Sequence, residues 1–195
     1  MRKHLSLAIL ILIGFVLSFS AQTQGQTAEK PEWRPIVQDA TFLTGDTWIK
    51  NQITYRLYGV QACIRGTTFT NTQGARSDCG DASMLMLVNL VNDWRPMCYP
   101  VYQTKDGNTQ FVICSARLTR GQSAGAVIDL GTALISSGFA FASLNANGQP
   151  VNQAYLVSQM VAKNKKKGLW AFADVPDPNF IIMQKLKASA ATPKP

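Results

Sequence analysis

Four cysteines, Cys63, Cys79, Cys98 and Cys114, constrain this chain more than any other feature, because each pairing ties together segments that the backbone alone leaves free. An even set in an exported chain is by default a set of disulfides, and four cysteines allow three pairings. Residues 98–104 and 109–116 read as strands on either side of Lys105-Asp106-Gly107, which suits a three-residue hairpin loop with Gly107 in the left-handed conformation. Such a loop sets Cys98 opposite Cys114. Cys63 is then left for Cys79, closing a stretch that otherwise carries Thr, Asn, Gly and Gln. In the chain-entropy picture each closure contributes roughly 3 kcal/mol. Zinc held by four thiolates is the rival, and it asks for CxxC-type pairs that are absent.

Export is read from residues 1–20. Arg2, Lys3 and His4 precede an apolar run over 5–19, and the small residues Ser18, Ser20 and Ala21 follow it. This is the layout of a signal peptide cut near Ser20 or Ala21. A retained anchor is the alternative, although the run is somewhat short for a span. The mature protein is expected to be periplasmic or secreted, with no transmembrane segment after cleavage.

Removing Arg2 and Lys3 leaves 17 basic against 11 acidic residues, a charge of +6. A basic exported protein meets nucleic acid, anionic polysaccharide or a membrane surface, and the charge alone singles out none of them. Lys163, Lys165, Lys166 and Lys167 precede Gly168 and read as the solvated, dipole-complementing end of a helix.

With 46% hydrophobic and 15% charged residues in 195, one domain with a core is expected between two tails. The divisions are a signal peptide over 1–20, a linker over 21–40, a folded domain over 41–183 and a disordered tail over 184–195. Residues 41–49 and 52–60 are β-type around Lys50-Asn51. Helices are expected over 81–92, with Asp78 as N-cap and Asp81 in the first turn, over 129–138, and over 152–167. The class is α+β with a small barrel. The only His is His4 and the only Glu residues are Glu29 and Glu32, so the domain has no His-based triad and no His-ligated zinc.

Five short motifs occur in a particular order. They are Gly45-Asp46-Thr47, Tyr55-Arg56-Leu57-Tyr58-Gly59-Val60, Cys79-Gly80-Asp81-Ala82, Leu134 with Gly138-Phe139-Ala140, and Lys167-Gly168-Leu169-Trp170. In order and approximate spacing they resemble the staphylococcal nuclease (thermonuclease) family, and its exported, cysteine-containing branch in particular. The resemblance covers residues 41 to about 180. It implies a five-stranded OB-fold barrel with three helices. It also implies a Ca2+-dependent phosphodiesterase, in which carboxylates hold the cation, a Glu activates water and two Arg bind the phosphate.

Residue by residue, most of that site is missing. Asp46 matches a metal-binding Asp and Arg56 the first catalytic Arg, while Thr44 replaces an acid that often precedes the Gly. Gln61 stands for the second metal carboxylate and Ile64 for the general base. Asn108 and Thr109 stand where a Tyr-Gly-Arg turn supplies the second Arg. Loss of a general base alone costs about 100- to 10,000-fold, and loss of a clamping donor about 100- to 1,000-fold more. One remaining carboxylate holds a hard cation weakly.

The resemblance therefore implies a nuclease-like protein that is no longer a nuclease and needs no cofactor, acting as a binding or interaction module in the cell envelope. An active Ca2+-dependent nuclease using Asp78 or Asp106 with Arg117 is one alternative, and Arg120 is a further candidate for the missing clamp. A structural partner of an envelope assembly is the other. Met84, Met86 and Leu87, in a helix with few polar residues, are the expected interaction face toward an envelope protein or a second copy. Trp170 is expected to pack in the core.

Overall fold

Asp78 starts the main helix as its spacing predicts. Its carboxylate accepts the Asp81 N–H at 2.9 Å, and α1 runs over Cys79–Trp94, two residues beyond the expected helix at each end. The computed structural model describes residues 32–36, 39–119 and 121–191. The expected signal peptide, residues 21–31 of the expected linker and Arg120 lie outside the described residues.

Before α1 the chain forms β1 (Arg34–Pro35), β2 (Thr41–Thr44), β3 (Thr47–Lys50), β4 (Ile53–Leu57), β5 (Val60–Ala62), β6 (Thr68–Thr70) and β7 (Arg76–Asp78). After it come β8 (Met97–Gln103), β9 (Thr109–Arg117), β10 (Val127–Asp129), α2 (Leu130–Ser136) and β11 (Ala140–Ala142). The chain ends in α3 (Gln153–Asn164), a 3-10 turn (Gly168–Ala171) and α4 (Pro178–Ala191). The two long β-type segments expected around Lys50-Asn51 are each split, the first by the turn at Gly45-Asp46 and the second at Tyr58-Gly59.

The main sheet has the order β1-β8-β9-β4-β3-β2, with β10 also on β9. Along β9, Thr109 to Val112 pair in parallel with β4, and Ser115 to Arg117 pair antiparallel with β10, while β8 follows the other edge. One long strand thus serves two partners in succession and the sheet curls into a half-barrel. The architecture is mixed α+β. Its strand and helix counts differ from the five and three that the resemblance implies. The additional elements include the β6-β7 hairpin inside the loop closed by Cys63 and Cys79, and α4 in the C-terminal segment.

Two expectations about the tails are corrected here. Residues 184–191, expected to be disordered, continue α4. Pro178 occupies its first position, and Asp177 Oδ1 accepts the Asn179 N–H at 2.9 Å, so the start signals are local. Within the expected linker, Arg34 and Pro35 pair with Cys98 and Met97.

Both disulfides join the expected partners, Cys63 with Cys79 and Cys98 with Cys114. The hairpin reaches its register by a different route, however. Thr104 N–H bonds to Thr109 O at 2.9 Å, so the turn is Lys105 to Asn108, one residue longer than expected. A register shift between Pro100 and Tyr102 then restores Cys98 opposite Cys114. Gly107 is left-handed, with φ +73°.

Helix α1 buries Ser83, Leu87 and Val91 at a spacing of four, and this stripe faces the core. Of the expected interaction face Met84, Met86 and Leu87, Met84 is half-buried. Leu87 is fully buried and Met86 packs against the core, whereas the exposed apolar residue of α1 is Leu85 at 59%. A methyl group at Gly45 would lie 2.6 Å from Ser83 Cβ, so the turn beside Asp46 lies directly on α1. Gly138 and Gly168 meet with similar closeness, where a Cβ on Gly138 would lie 2.1 Å from Lys167 O. Leu169 N–H then bonds to Gly138 O at 3.0 Å, which brings Leu169 and Phe141 into a second core cluster with the Cys63–Cys79 bridge.

Candidate functional site

The turn between β2 and β3 places Asp46 almost wholly inside the protein, at 2% exposure. Its Oδ1 accepts the hydroxyls of Thr44 at 2.6 Å and Thr47 at 2.8 Å. Its Oδ2 accepts Arg56 Nε at 3.1 Å and the Ala62 N–H at 3.2 Å, and Arg56 Nη2 also lies 3.1 Å from it. The same Nη2 donates to Gln61 Oε1 at 2.7 Å, while Gln61 Nε2 donates to Ala62 O at 2.9 Å. Register explains the meeting, since Thr47 is the partner of Arg56 in the β3-β4 ladder, one residue from Asp46.

Four hydrogen bonds and the Arg56 Nη2 ion-pair contact therefore surround one carboxylate. A Ca2+ ion takes six to eight oxygens, several of them charged, and the ion implied by the resemblance does not fit here. The lone pairs of Asp46 are already used, Gln61 is neutral, and a guanidinium stands against Oδ2. Among the described residues no group of three or more His, Cys, Asp or Glu could hold a metal.

Beside this corner opens a cleft of about 820 Å³. Thr44, Asp46, Arg56, Gln61 and Ile64 line one end, so five of the sequence-predicted positions come together. Asn108 and Thr109 do not join them. Asn108 is exposed in the hairpin turn, with its side chain on Asp106, and Thr109 pairs with Thr54. The proposed replacements are committed elsewhere as well. Asp78 caps α1 and accepts the Gly66 N–H at 2.6 Å, Asp106 accepts the Thr104 hydroxyl at 2.5 Å, and Arg117 donates to Gly125 O at 2.8 Å. None of the three lines the cleft.

Burial works to raise the pKa of Asp78, but hydrogen bonds from the N–H groups of Asp81, Gly66 and Gly80, with Arg65 nearby, hold it below the ordinary Asp value. Hydrogen bonds from the Thr104 hydroxyl and from Asn108 lower that of Asp106. Trp170 packs edge-on against Phe141, with ring centroids 4.9 Å apart, and Lys163 Nζ lies 5.1 Å from its centroid.

The rest of the cleft was not anticipated from the sequence. Phe111 sits between Tyr58 and Tyr102, at centroid distances of 6.4 and 5.8 Å, and the two Tyr are 40% and 52% exposed. The opposite wall is Ile182, Met183 and Leu186 of α4, tied down by Asn179 Nδ2 donating to Ala142 O at 3.0 Å. Arg65, at the rim, pairs with Asp81 at 3.0 Å. Each arginine of the cleft already has a carboxylate partner, so the surface offered is aromatic and apolar with little free charge. No protein-family model matches the chain, and comparison with curated proteins finds no significant relative.

Proposed function

We propose that this chain is a thermonuclease-like protein with an OB-type barrel, working without catalysis as an interaction module in an oxidising cell envelope. The observation that carries the reading is the closure of Arg56 on Asp46 and Gln61. In a phosphodiesterase of this type the arginine faces a phosphate and the carboxylate faces a cation. Here the two groups neutralise each other, and Ile64 offers no base. The curled sheet and the five motifs in order support the fold assignment. The two disulfides suit an oxidising compartment.

The ligand or partner engages the cleft beside that corner through Tyr58, Tyr102 and Phe111. The segment it places there is uncharged, because the cleft arginines are already paired, and polyanions bind weakly at this site. Purified protein at millimolar Ca2+ is expected to leave single-stranded DNA intact, with the same result in EDTA. Robust Ca2+-dependent cleavage lost in Asp46→Ala overturns the reading. Tight, salt-sensitive binding of an oligonucleotide that Tyr102→Ala abolishes overturns the neutral-ligand part of it.

A further inference from the structure

Helix α3 is apolar on both of its sides, which a surface helix ordinarily is not. Its inner side is accounted for. Tyr155 and Ala162 are buried, and Gln159 Oε1 accepts the Ala142 N–H at 2.7 Å. Its outer side carries Ala154, Val157, Met160 and Val161, a stripe at helical spacing in which the last three are 60%, 56% and 47% exposed. Asn179 of α4 bonds to the O of the same Ala142, so both helices reach one edge of β11. Phe180, next in the chain, is 63% exposed and adds a large apolar side chain on that neighbouring helix.

The stripe runs directly into a cluster of cations. Lys163 bends over the Trp170 ring, while Lys165, Lys166 and Lys167 are exposed just past the end of α3. Among the described residues no ion pair involves these three lysines, and the first turn of α3 has no acid. Exposed apolar side chains followed at the helix end by exposed lysines match the layout of helices that lie in a membrane interface.

We propose that this face docks on an anionic lipid bilayer. Val157, Met160 and Val161 enter the boundary between headgroups and acyl chains, and Lys165, Lys166 and Lys167 meet the headgroup phosphates. Charge complementarity selects this occupant over a second copy of the chain, whose own net positive charge and acid-free first turn leave the lysines unneutralised. Three exposed side chains also fall far short of the roughly 1,200 Å² of a stable protein interface. The proposal uses none of the residues of the cleft described above and stands apart from that reading.

The test is flotation with vesicles of phosphatidylcholine, with and without phosphatidylglycerol, using residues 21–195. This chain keeps the whole compact unit from Pro31 onward and lacks the apolar run 5–19, which would bind lipid by itself. Binding is expected only to vesicles containing phosphatidylglycerol, and to weaken with salt. Replacing Lys165, Lys166 and Lys167 by Gln should weaken it about fivefold per lysine, on the order of a hundredfold in all. Val157→Ser with Met160→Ser should weaken it at least about tenfold. Neither set should move the thermal transition, and inorganic phosphate should not compete. Equal or absent binding to the two vesicle types overturns the proposal. So does competition by inorganic phosphate, binding indifferent to Val157→Ser with Met160→Ser, or a self-association or RNA complex that those substitutions abolish.

Discussion

Arg56 meets Asp46 through two nitrogens, Nε and Nη2, each 3.1 Å from the same carboxylate oxygen. The Asp46 side chain is 3% exposed and that of Arg56 33%. Removing the guanidinium thus leaves an almost fully buried carboxylate with hydroxyl and N–H donors and no counter-charge. Arg56→Met is expected to cost about 3 kcal/mol, and Asp46→Asn in the same background to restore part of that loss. Urea unfolding of the two single variants and the double variant measures the coupling. Additive losses would show that the pair contributes nothing beyond its separate parts.

The position of Gln61 makes a second outcome predictable. Its Oε1 already accepts Arg56 Nη2 at 2.7 Å, so Gln61→Asp supplies that arginine with a second carboxylate and tightens the closed corner. Gln61→Asp with Ile64→Glu should therefore acquire no Ca2+-dependent cleavage of single-stranded DNA and no Ca2+-dependent rise in melting temperature. A shift of several degrees at millimolar Ca2+ would show that the corner opens more readily than its hydrogen bonds imply.

What the sequence made legible is local. Asp78 announces α1 and Gly107 announces the hairpin, because a capping carboxylate and a left-handed glycine act within a few residues. The cleft could not be read in the same way. Its rings come from β4-β5, β8 and β9, and its far wall from α4, so only tertiary contact assembles it. Arg56 was legible as a residue type and not as a partner, since the same guanidinium serves a phosphate or a carboxylate equally well. The segment 184–191 was misread because Lys, Ala and Ser also make up disordered tails. Pro178 and the Asp177 hydrogen bond were the signals that a helix begins there. Leu87 was misassigned because α1 is apolar on most sides, so only packing decides which stripe turns inward.

Tyr155 is expected to contribute to the loss of stability at alkaline pH. Its hydroxyl donates to Asp129 Oδ1 at 2.8 Å, and the same oxygen caps α2 by accepting the Thr132 N–H at 2.6 Å. Burial, then the charge of Asp129, then this hydrogen bond all raise the phenol pKa in the folded protein. Because the folded value lies above the unfolded one, the stabilisation is complete below the ordinary value of about 10 and is lost as pH rises beyond it. Tyr155→Phe should cost about 1 to 2 kcal/mol at neutral pH and flatten the decline between about pH 9.5 and 11. Unfolding followed at fixed alkaline pH values checks this, and equal slopes for the two proteins would assign the decline to other groups.

The two disulfides close loops of the same length, a sequence separation of 16 in each case. Chain entropy therefore assigns each the same stabilisation, roughly 3 kcal/mol. Their folded surroundings differ. Cys98 and Cys114 are already held opposite each other by the β8-β9 ladder, whereas Cys63 and Cys79 join β5 to the start of α1 and sit in the cluster with Phe69, Phe141 and Leu169. Without that bridge, the intervening β6-β7 hairpin is tied to the rest by Phe69, whose ring centroid lies 4.6 Å from that of Phe172, and by Asp174, which accepts the Thr70 N–H at 3.0 Å and pairs with Arg76 at 2.7 Å. Both bonds are solvent-exposed, and exposed ion pairs contribute little. Replacing Cys63 and Cys79 by Ala should thus cost the entropy term and also loosen residues 64–78. Replacing Cys98 and Cys114 should cost the entropy term with the strand pairing retained. Hydrogen exchange separates the two, with faster exchange at Phe69 and Ser77 expected only in the first variant. Equal protection of those amides in both would show that Phe69 and Asp174 hold the hairpin without the bridge.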